Sequence, residues 1–547
     1  MGEVMVMPSA GAKDGPPVNS VDLEAPPKIQ VAQAIELFKR GNNPPRLFRR
    51  GNTTARVQPR KDEPAEIEQL NADGIFAEVV NAVDFVRVGK KETTYCYPPD
   101  NLMRAIRGQA GLPLPPLEGL RCAPFFTPEG ELVGVSGYHA GSHIYLAPDS
   151  SLDGIGQVPT APNEAAVKRA KELLRYPIRQ FPFATSASYA ATIALGLLPF
   201  MREMIDGPLP IFVVKAPAER TGKGLLIQTD CYPGLGQSIA AMPELTKGEE
   251  LRKRVFAIAL SGEPIVFFDN ITTAVEGGAL AAILTAPRFT DRILGRSEMV
   301  TCAVRCAWVL AANNPRFSHE LLLRTLPIEL DANMEQPGER IFDDPKDPVA
   351  YARAHRTDLV WASLVLIQNW IALARPKAML PARLGGFDSF AAIMGGILGA
   401  AEIPGFLTNL DTFQTDAGTD ADRWRPLVTQ WWREHHAGGV SPTELLGVAD
   451  KIDFAFPLRK GESERARVTR FGLAVARLVD RVFDICPDNQ TERRLSVKVV
   501  RAEYGREGGR TNKGYALKPS EQVSGEASHA PEAPEASEAQ AAGEDIF

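Results

Sequence analysis

Residues 211–226 read IFVVKAPAERTGKGLL: an apolar run, a small polar loop, Gly-Lys and a second apolar run. This order predicts a buried strand, a phosphate-binding loop and a helix, because such loops deliver phosphate to a helix N-terminus. The usual motif is G-x-x-x-x-G-K-[ST]. Here Pro217 stands at the first glycine, and Gly224 stands where a hydroxyl would bind magnesium. Alone, the stretch fits a working nucleotide site, a degenerate loop or an ordinary turn.

Two later apolar runs end in polar residues, as the strands of a nucleotide-binding sheet do. PIVFFDN ends in Asp269 and Asn270, and AWVLAANN ends in Asn313 and Asn314. A strand-end carboxylate beside the phosphate loop can hold Mg²⁺ through water. A strand-end Asn can orient the attacking water or contact the γ-phosphate. The alternative is that each run is a core strand capped by turn-forming residues.

An arginine completes the series. The stretch LLLRTLPIEL places Arg324 about one short helix after Asn313 and Asn314. There it could reach the nucleotide of a neighbouring subunit and stabilise transition-state charge. Three such features in this order after Gly-Lys favour an ATP site over coincidence. We expect Lys223 to contact the β- and γ-phosphates. The predicted nucleotide-binding residues are Pro217, Ala218, Glu219, Arg220, Thr221, Gly222, Lys223, Gly224 and Leu225.

Two departures from the usual motif leave alternatives open. Because Gly224 offers no hydroxyl, either Thr221 or water completes the magnesium shell around Asp269, or metal binding is weaker. Asn270 stands where many such ATPases carry a second carboxylate, and an amide cannot accept a proton as a general base. The sequence does not choose among the replacements, which are Glu219, Glu249, Glu250, Glu263 and Glu276.

Composition narrows the class of protein. The chain has 547 residues and a net charge of −6, so binding to nucleic acid would need a local basic patch. Its six cysteines form no framework and predict reduced thiols in the cytoplasm. The N-terminus has no signal-peptide pattern, and no run approaches a membrane span, so we expect no membrane partner.

The changing pattern along the chain predicts six regions of an α/β protein. They are a disordered segment 1–27, a small α+β domain 28–158, a P-loop ATPase domain 159–345 with a parallel sheet, a helical domain or lid 346–440, a basic winged-helix-like domain 441–519 and a disordered acidic tail 520–547.

The motifs resemble those of superfamily 3 helicases and poxvirus-type primase-helicases, especially the ATPase halves of primase-helicases from phages and integrative elements. The similarity covers about residues 95–345, and more loosely extends to 519. It rests most on EELRKRVFAIALSGEPIVFFDN, LTAPRFTDRILGRSE, WVLAANNPRFSHELLLRTLPIELD and ERIFDD. In this family Gly or Thr both follow the Lys and Asp-Asn is common, so the resemblance implies that the two departures are family traits.

The resemblance implies an AAA+-like ATPase that forms a ring, usually a hexamer, with ATP between subunits and DNA moving through the centre. Such enzymes carry a basic hairpin between the Asp and Asn strands. Here RILGRSEMVTCAVRC fills that interval with Arg292, Arg296 and Arg305. These arginines would contact DNA, or one would act at a neighbour's ATP; the alternative is that they are solvated strand charges.

A second basic region lies near the C-terminus. Residues 460–519 contain fourteen Lys or Arg against eight Asp or Glu. Helices followed by a basic hairpin suggest a winged helix that contacts DNA, or else a solvated lid. The predicted DNA-contacting residues here are Arg470, Arg477, Arg501, Arg506 and Arg510. The tail ends in GEDIF, which resembles the acidic tips of single-stranded-DNA-binding proteins that dock on replication partners.

These observations predict an ATP- and Mg²⁺-dependent, ring-forming helicase or translocase of a phage or mobile element that acts on single-stranded or forked DNA. One rival is an ATP-gated DNA-binding assembly module, for replication initiation or defence, with little unwinding. Another is a structural protein with a degenerate loop, which would bind no nucleotide.

Overall fold

The computed structural model describes the chain in segments. These are residues 19–58, 64–89, 92–108, 112–242, 249–271, 286, 288–292, 299–313, 319–334, 336–416, 420–452, 454, 456, 463–486, 495–507 and 510–519. The chain divides into two compact units, residues 1–419 and 420–547. The sequence predicted a boundary at 440, whereas the helix over 420–435 groups with the second unit.

The first unit begins with short helices and small sheets. The helices are α1 Pro27–Gly41, α2 Ala72–Ala82 and α3 Asp100–Gly108. The strands are β1 Ser20–Asp22, β2 Leu47–Arg50, β3 Thr53–Gln58, β4 Glu66–Gln69, β5 Asp84–Val88, β6 Thr93–Tyr95, β7 Gly119–Arg121, β8 Phe125–Phe126, β9 Leu132–Val133, β10 Gly137–His139 and β11 Ile144–Leu146. They form the sheets β1-β5-β6, β2-β3-β4, β10-β11-β7 and β8-β9.

Ordered structure starts earlier than the sequence predicted. Residues 1–27 were expected to be disordered, but β1 pairs in parallel with β5, and Val21 is fully buried in the core beneath it. Burial of Val21 and the strand hydrogen bonds together offset the chain entropy of this Pro-rich segment. Residues 1–18 and the predicted disordered tail 520–547 lie outside the described residues.

The rest of the first unit alternates strands and helices. Its elements are α4 Glu164–Arg175, α5 Ser186–Met201, β12 Ile211–Ala216, α6 Lys223–Leu235, β13 Ala241–Met242, α7 Glu249–Ser261, β14 Ile265–Ile271, β15 Arg288–Arg292, β16 Met299–Ala303, β17 Ala307–Asn313, α8 His319–Leu322, β18 Thr325–Glu329, α9 Pro348–Ala354, α10 Arg356–Ala372, α11 Asp388–Ala400 and α12 Leu410–Asp416.

The centre of this unit is a five-stranded parallel sheet in the order β13-β14-β17-β12-β18, which confirms the predicted α/β sheet. Successive residues along its strands face opposite sides of the sheet and pack into two different cores. Phe212 and Val214 face a cluster with α5, α6, α10 and α11, whereas Ile211 and Val213 face one with α7 and the β15–β16 hairpin. Burial on both faces explains why these strands are continuously apolar. All five strands therefore present their carboxyl ends at one edge.

A buried arginine joins three distant parts of this unit. Arg356, at the start of α10, is only 1% exposed. Its Nε donates to the Pro233 carbonyl (3.0 Å), Nη1 to Asp149 (2.8 Å) and Ser151 (2.6 Å), and Nη2 to the Cys122 carbonyl (2.8 Å). A guanidinium whose three nitrogens all donate hydrogen bonds, one of them to a carboxylate, can be buried without leaving an unpaired charge. It fixes the C-terminal end of α6 against the chain around residues 122–151, which places the other end of α6 at the carboxyl edge of the sheet.

In its described residues, the second unit combines three helices with a three-stranded antiparallel sheet. The elements are α13 Asp420–His435, α14 Pro442–Lys451, α15 Glu464–Ala476, β19 Val482–Ile485, β20 Leu495–Glu507 and β21 Arg510–Pro519. The sheet order is β19-β20-β21, and Val440 forms an isolated bridge with Tyr515 of β21. Ser441 caps α14 in a capping box with Glu444. A core containing Trp424, Trp431 and other apolar side chains holds the unit together.

All six cysteines lie in the described part of the chain and are free thiols. Among the described helices, none combines the length and the apolar character that a bilayer crossing requires.

Asp230 provides a test of the packing between α5 and α6. Its Oδ2 is buried and has no hydrogen-bond partner in the described part of the chain, and an added Cβ at Gly196 would lie 2.9 Å from its Oδ1. Burial raises the pKa of Asp230 well above its ordinary value of 3.8, and a backbone hydrogen bond at Gly196 offsets only part of this shift. The native state therefore favours the protonated form of this carboxyl, and its contribution to stability is lost as pH rises from about 4 through the raised pKa.

We predict that Asp230→Asn is more stable than the parent protein at neutral pH, since the neutral amide needs no proton. The difference in the free energy of unfolding should grow by about 1.4 kcal/mol per pH unit above pH 4 and level off above the raised pKa. Urea unfolding of both proteins at several pH values measures it. Asp206→Asn, at an exposed position, serves as the control. A difference that does not change with pH would contradict a carboxyl buried in its neutral form.

Candidate nucleotide site

The loop between β12 and α6 has the backbone of an anion-binding turn. Arg220 has φ 57° and Gly222 has φ 95°, both in the left-handed region, and α6 begins at the next residue, Lys223. Only glycine adopts the conformation of Gly222 without strain, which explains the glycine before the lysine. The turn directs successive backbone N–H groups of the helix N-terminus towards the open edge of the sheet, where they can bind an anion.

The Thr221 hydroxyl closes this loop internally. Thr221 is 2% exposed, and its Oγ1 donates to the Ala218 carbonyl at 2.7 Å. The sequence left Thr221 and water as alternatives for the ligand that Gly224 does not supply. Because Thr221 is buried, the geometry favours water as the ligand.

Lys223 points from the first turn of α6 to the end of β17. Its Nζ donates to Oδ1 of Asn313 at 2.5 Å, and the residue is only 9% exposed. The parallel pairing of β12 with β17 produces this contact, since Ala216 lies opposite Asn313. Burial lowers the pKa of Lys223, while the nearby carboxylates of Asp269 and Glu219 partly restore it. An ammonium group in this position gains free energy when a phosphate chain joins it.

Asp269 stands at the end of β14, beside the same helix turn. The pairing with β17 shifts register between Phe268 and Ile271, and Asn270 has φ 53°. This irregularity exposes Asp269, whose Oδ1 accepts a hydrogen bond from the Asn270 amide at 2.8 Å. Its Oδ2 lies 3.8 Å from the position that a Cβ at Gly224 would occupy. The carboxylate therefore faces the N-terminus of α6.

The described residues fit a nucleoside triphosphate with Mg²⁺. Backbone N–H groups, the Lys223 ammonium, the Asn313 amide and the Asp269 carboxylate meet where β12, β17 and β14 end. Mg²⁺ commonly takes one or two carboxylates and completes its shell with water and phosphate oxygens, so a single carboxylate is a sufficient protein ligand. Asn314, which the sequence also assigned here, lies outside the described residues.

Arg324 lies at the amino ends of the strands, on the side of the sheet opposite to the phosphate loop. Its carbonyl accepts from the amide of Ile211, the first residue of β12, at 2.9 Å, whereas the phosphate loop follows the last residue of that strand. At about 3.3 Å per residue, the two edges are about 20 Å apart. Arg324 therefore does not serve the site of its own chain, and its predicted role at a neighbour's nucleotide stays a prediction.

The candidate general bases differ in position. Glu263 precedes β14, at the far end of the strand from Asp269, so it is too distant to act at this site. Glu219 lies in the loop itself, is exposed and influences Lys223 electrostatically. The side chains of Glu249 and Glu250, and all of Glu276, lie outside the described part. Among the carboxylates whose side chains are described, Glu219 alone of the five predicted bases lies in the loop.

One predicted DNA contact needs correction. Arg305 follows the β15–β16 hairpin, and its Nη1 and Nη2 lie 3.3 Å from Glu118 and 3.4 Å from Glu203. Glu203 is also paired with the buried Arg121 at 2.5 Å. A guanidinium paired with two carboxylates and 27% exposed is a structural ion-pair member, which spacing along the sequence could not reveal. Arg292 lies on β15 with no described side chain, and Arg296 lies outside the described residues.

The arginines predicted to contact DNA in the second unit occupy different settings. Arg477, at the end of α15, and Arg501, on β20, are exposed. Arg470 stacks over the Phe456 ring, with 4.2 Å between the guanidinium carbon and the ring centroid. Arg506 and Arg510 lie on β20 and β21, but their side chains are outside the described part.

The sequence assigned no role to Arg340, which the structure brings to the phosphate loop. Its Nη2 lies 3.6 Å from the position of a Cβ on Gly222. Arg340 belongs to the stretch ERIFDD, but nothing in the local pattern indicates which way the segment folds.

No family model and no curated protein matches this chain. Among solved structures, the chain is similar to the A-form apo C-terminal region of NrS-1, with 10% identity, a TM-score of 0.34 and coverage of 74% of this chain and 92% of that one. It is also similar to the active helicase Cch of SCCmec type IV (10% identity, TM-score 0.33, 85% and 90%) and to JCV helicase (15%, 0.17, 47% and 72%). These values do not establish a family for the chain.

Gly224 gives a direct test of the proposed metal environment. A Cβ there would lie 3.8 Å from Asp269 Oδ2 and 4.0 Å from Phe267 Cζ, which are ordinary contacts. We therefore predict that Gly224→Ser and Gly224→Ala both fold with undiminished stability, as measured by thermal unfolding. The Ser variant should need less Mg²⁺ for half-maximal binding of a non-hydrolysable ATP analogue, because its hydroxyl adds a ligand.

The Ala variant is the matched control for this test, since it adds the Cβ without the hydroxyl. Equal Mg²⁺ requirements in the Ser and Ala variants would contradict a metal site between Asp269 and the first turn of α6.

Proposed function

We propose that the protein is an ATP- and Mg²⁺-dependent DNA helicase or translocase of a phage or mobile-element replication system. In this proposal the subunits form a ring, with a hexamer as the expected size, and ATP lies between them. The observation that carries the proposal is the hydrogen bond between Lys223 and Asn313, made beside Asp269 at the end of three parallel strands. A lysine held in this way at a helix N-terminus is suited to the terminal phosphates of a nucleotide.

The proposed chemistry assigns one task to each side chain. The loop N–H groups and Lys223 bind the phosphate chain and stabilise the charge that develops on it. Asp269 holds Mg²⁺ through water, and the ion supplies charge neutralisation at the phosphate oxygens. Asn313 positions Lys223 and, once a nucleotide draws Lys223 away, is free to orient the attacking water. Glu219 is the proposed acceptor of that water's proton.

The absence of a carboxylate after Asp269 supports a second candidate function. Asn270 cannot act as a base, and its φ of 53° suits an asparagine at a bulge. If Glu219 is too exposed to act as a base, hydrolysis would be slow, and ATP would instead gate assembly on DNA with little unwinding. ATP turnover separates the two functions: stimulation by single-stranded DNA supports the motor, and unchanged slow turnover supports the assembly module.

The proposed DNA contacts divide between the two units. In the first unit they are Arg292 and Arg296; Arg305 is not among them, because its guanidinium is paired with two carboxylates. In the second unit, the exposed Arg477 and Arg501 are the best supported, since neither side chain is buried. The order of three helices and an antiparallel β20–β21 hairpin supports a winged-helix-like use of α15 and the hairpin. The acidic tail remains a proposed docking segment for a replication partner.

Lys223→Ala should reduce ATP hydrolysis by about 100-fold or more, because a fixed positive charge at the terminal phosphates is lost. Steady-state phosphate release measures the effect, and thermal unfolding checks that the variant is folded. Lys168→Ala, which removes an exposed lysine on α4, is the control and should retain turnover. Unchanged hydrolysis in Lys223→Ala would contradict the proposed site, because turnover would then not depend on Lys223.

Sizing of the parent protein with and without an ATP analogue should show a discrete multimer when the analogue is present.

Arg477→Ala and Arg501→Ala should each weaken binding of single-stranded DNA. If each arginine contacts one phosphate, the slope of log K against log salt should fall by about 0.7 per variant. Fluorescence anisotropy with a labelled oligonucleotide over a salt series measures both quantities. Arg40→Ala, which removes an exposed arginine on α1, controls for net charge. A slope equal to that of the Arg40 variant would argue against phosphate contacts by the second unit.

A further inference from the structure

A segment after the sheet lies along one side of the phosphate loop. We define the covering segment as residues 337–344, which begins with the turn Pro337–Glu339. An added Cβ at Gly338 would lie 3.1 Å from Cδ of Arg220, so the segment touches the loop residue with positive φ. Two residues later, Arg340 brings Nη2 to 3.6 Å from the Cβ position of Gly222. The covering segment therefore contacts the loop at two of its bends.

Aromatic and ionic contacts fix the covering segment in place. The rings of Phe342 and Phe181 have centroids 5.0 Å apart. At the end of the segment, Asp344 accepts from Arg179 Nη2 and from the Tyr176 hydroxyl, both at 2.6 Å. These contacts hold the backbone after Arg340, and the contact of Gly338 with Arg220 holds it before, so the position of Arg340 does not depend on a free loop.

Arg340 lies on the opposite side of the loop from Asp269 and Asn313. The strand β12, which leads into the loop, has β17 on one side and β18 on the other. Asn313 ends β17, whereas the chain around Phe183 bridges to Leu330, directly after β18. Arg340 packs on Phe181, two residues before that bridge. Arg340 therefore lies on one side of the loop, and Asp269 and Asn313 lie on the other.

The Arg340 guanidinium lacks an anionic partner within the part of the chain that the structure describes. Its carbon Cζ lies 4.9 Å from the Phe342 ring centroid and 5.9 Å from that of Phe181. Its Nη1 is buried and has no hydrogen-bond partner among the residues that the structure describes. Burial lowers the pKa of Arg340, and no carboxylate among the described residues opposes the shift. Leaving a buried charged donor unpaired costs free energy that an anion at this position would recover.

We propose that Arg340 binds the α-phosphate end of the nucleotide, the part that nucleoside di- and triphosphates share, and so holds the nucleotide from the β18 side of the loop. This inference rests on the proposed nucleotide site. Lys223, Asn313 and Asp269 serve the terminal phosphate and its metal on the β17 side, so the phosphate chain leaves the loop towards Arg340. Arg340 thereby sets nucleotide affinity without distinguishing the two phosphate states, while Lys223 distinguishes them.

The experiment compares binding of ADP and of a non-hydrolysable ATP analogue by isothermal titration calorimetry in the full-length protein. The variants are Arg340→Met, Arg340→Ala and Lys223→Ala. The Met side chain keeps an apolar stem against Phe181 and Phe342 but removes the charge, so it separates anion binding from packing. Thermal unfolding confirms that each variant is folded.

Arg340→Met and Arg340→Ala should both weaken the two nucleotides by the same factor, about tenfold to a hundredfold, as expected for loss of a charged hydrogen bond. Lys223→Ala should weaken the ATP analogue more than ADP. Full binding by Arg340→Met would overturn the inference, because the role of Arg340 would then be packing. A loss confined to the ATP analogue would also overturn it, because the contact would then be with the terminal phosphate.

The outcomes also separate this inference from the function on which it rests. If the parent protein binds neither nucleotide, both the proposed function and the proposed role of Arg340 are rejected. If the parent binds both and Lys223→Ala loses the ATP analogue while Arg340→Met binds normally, the nucleotide site stands and the role of Arg340 is rejected.

Discussion

The parallel pairing of β12 with β17 is the constraint on which the candidate site depends. It sets Ala216 opposite Asn313, so that a lysine seven residues after Ala216 in the chain returns to the end of the neighbouring strand. A shift of the pairing by one residue would turn Asn313 into one of the two apolar cores, because alternate strand residues face opposite sides of the sheet. Those cores, filled by the alternating residues of β12 and β17, are what prevent such a shift.

Much of this arrangement follows from sequence because it depends on local order. A buried strand, a glycine turn and a helix predict where Lys223 stands, and strand-end polar residues predict that Asp269 and Asn313 reach the same edge. The roles of these residues with nucleotide stay predictions. What the sequence did not reveal depends on contacts between distant segments. The partners of Arg305 come from chain positions 118 and 203, and Arg340 reaches Gly222 across more than a hundred residues.

Domain limits show the same difference between local and distant information. The continuous helical pattern before residue 440 predicted one helical region, yet α13 contributes Trp424 and Trp431 to the core of the second unit. Periodicity identifies the apolar face of a helix but not the surface that the face covers. In the same way, Val21 reads as one apolar residue in a Pro-rich segment until β5 supplies a strand for it to join.

Arg356 fixes the C-terminal end of α6. Its guanidinium binds the Pro233 carbonyl in the last turn of the helix that begins with Lys223, and through Asp149, Ser151 and the Cys122 carbonyl it fastens that turn to the N-terminal portion of the chain. An α-helix is stiff along its axis, since every turn is braced by hydrogen bonds. A displacement of the N-terminal end of α6 is therefore transmitted to the contacts of Arg356. These contacts link the carboxyl ends of the strands mechanically to residues 122–151.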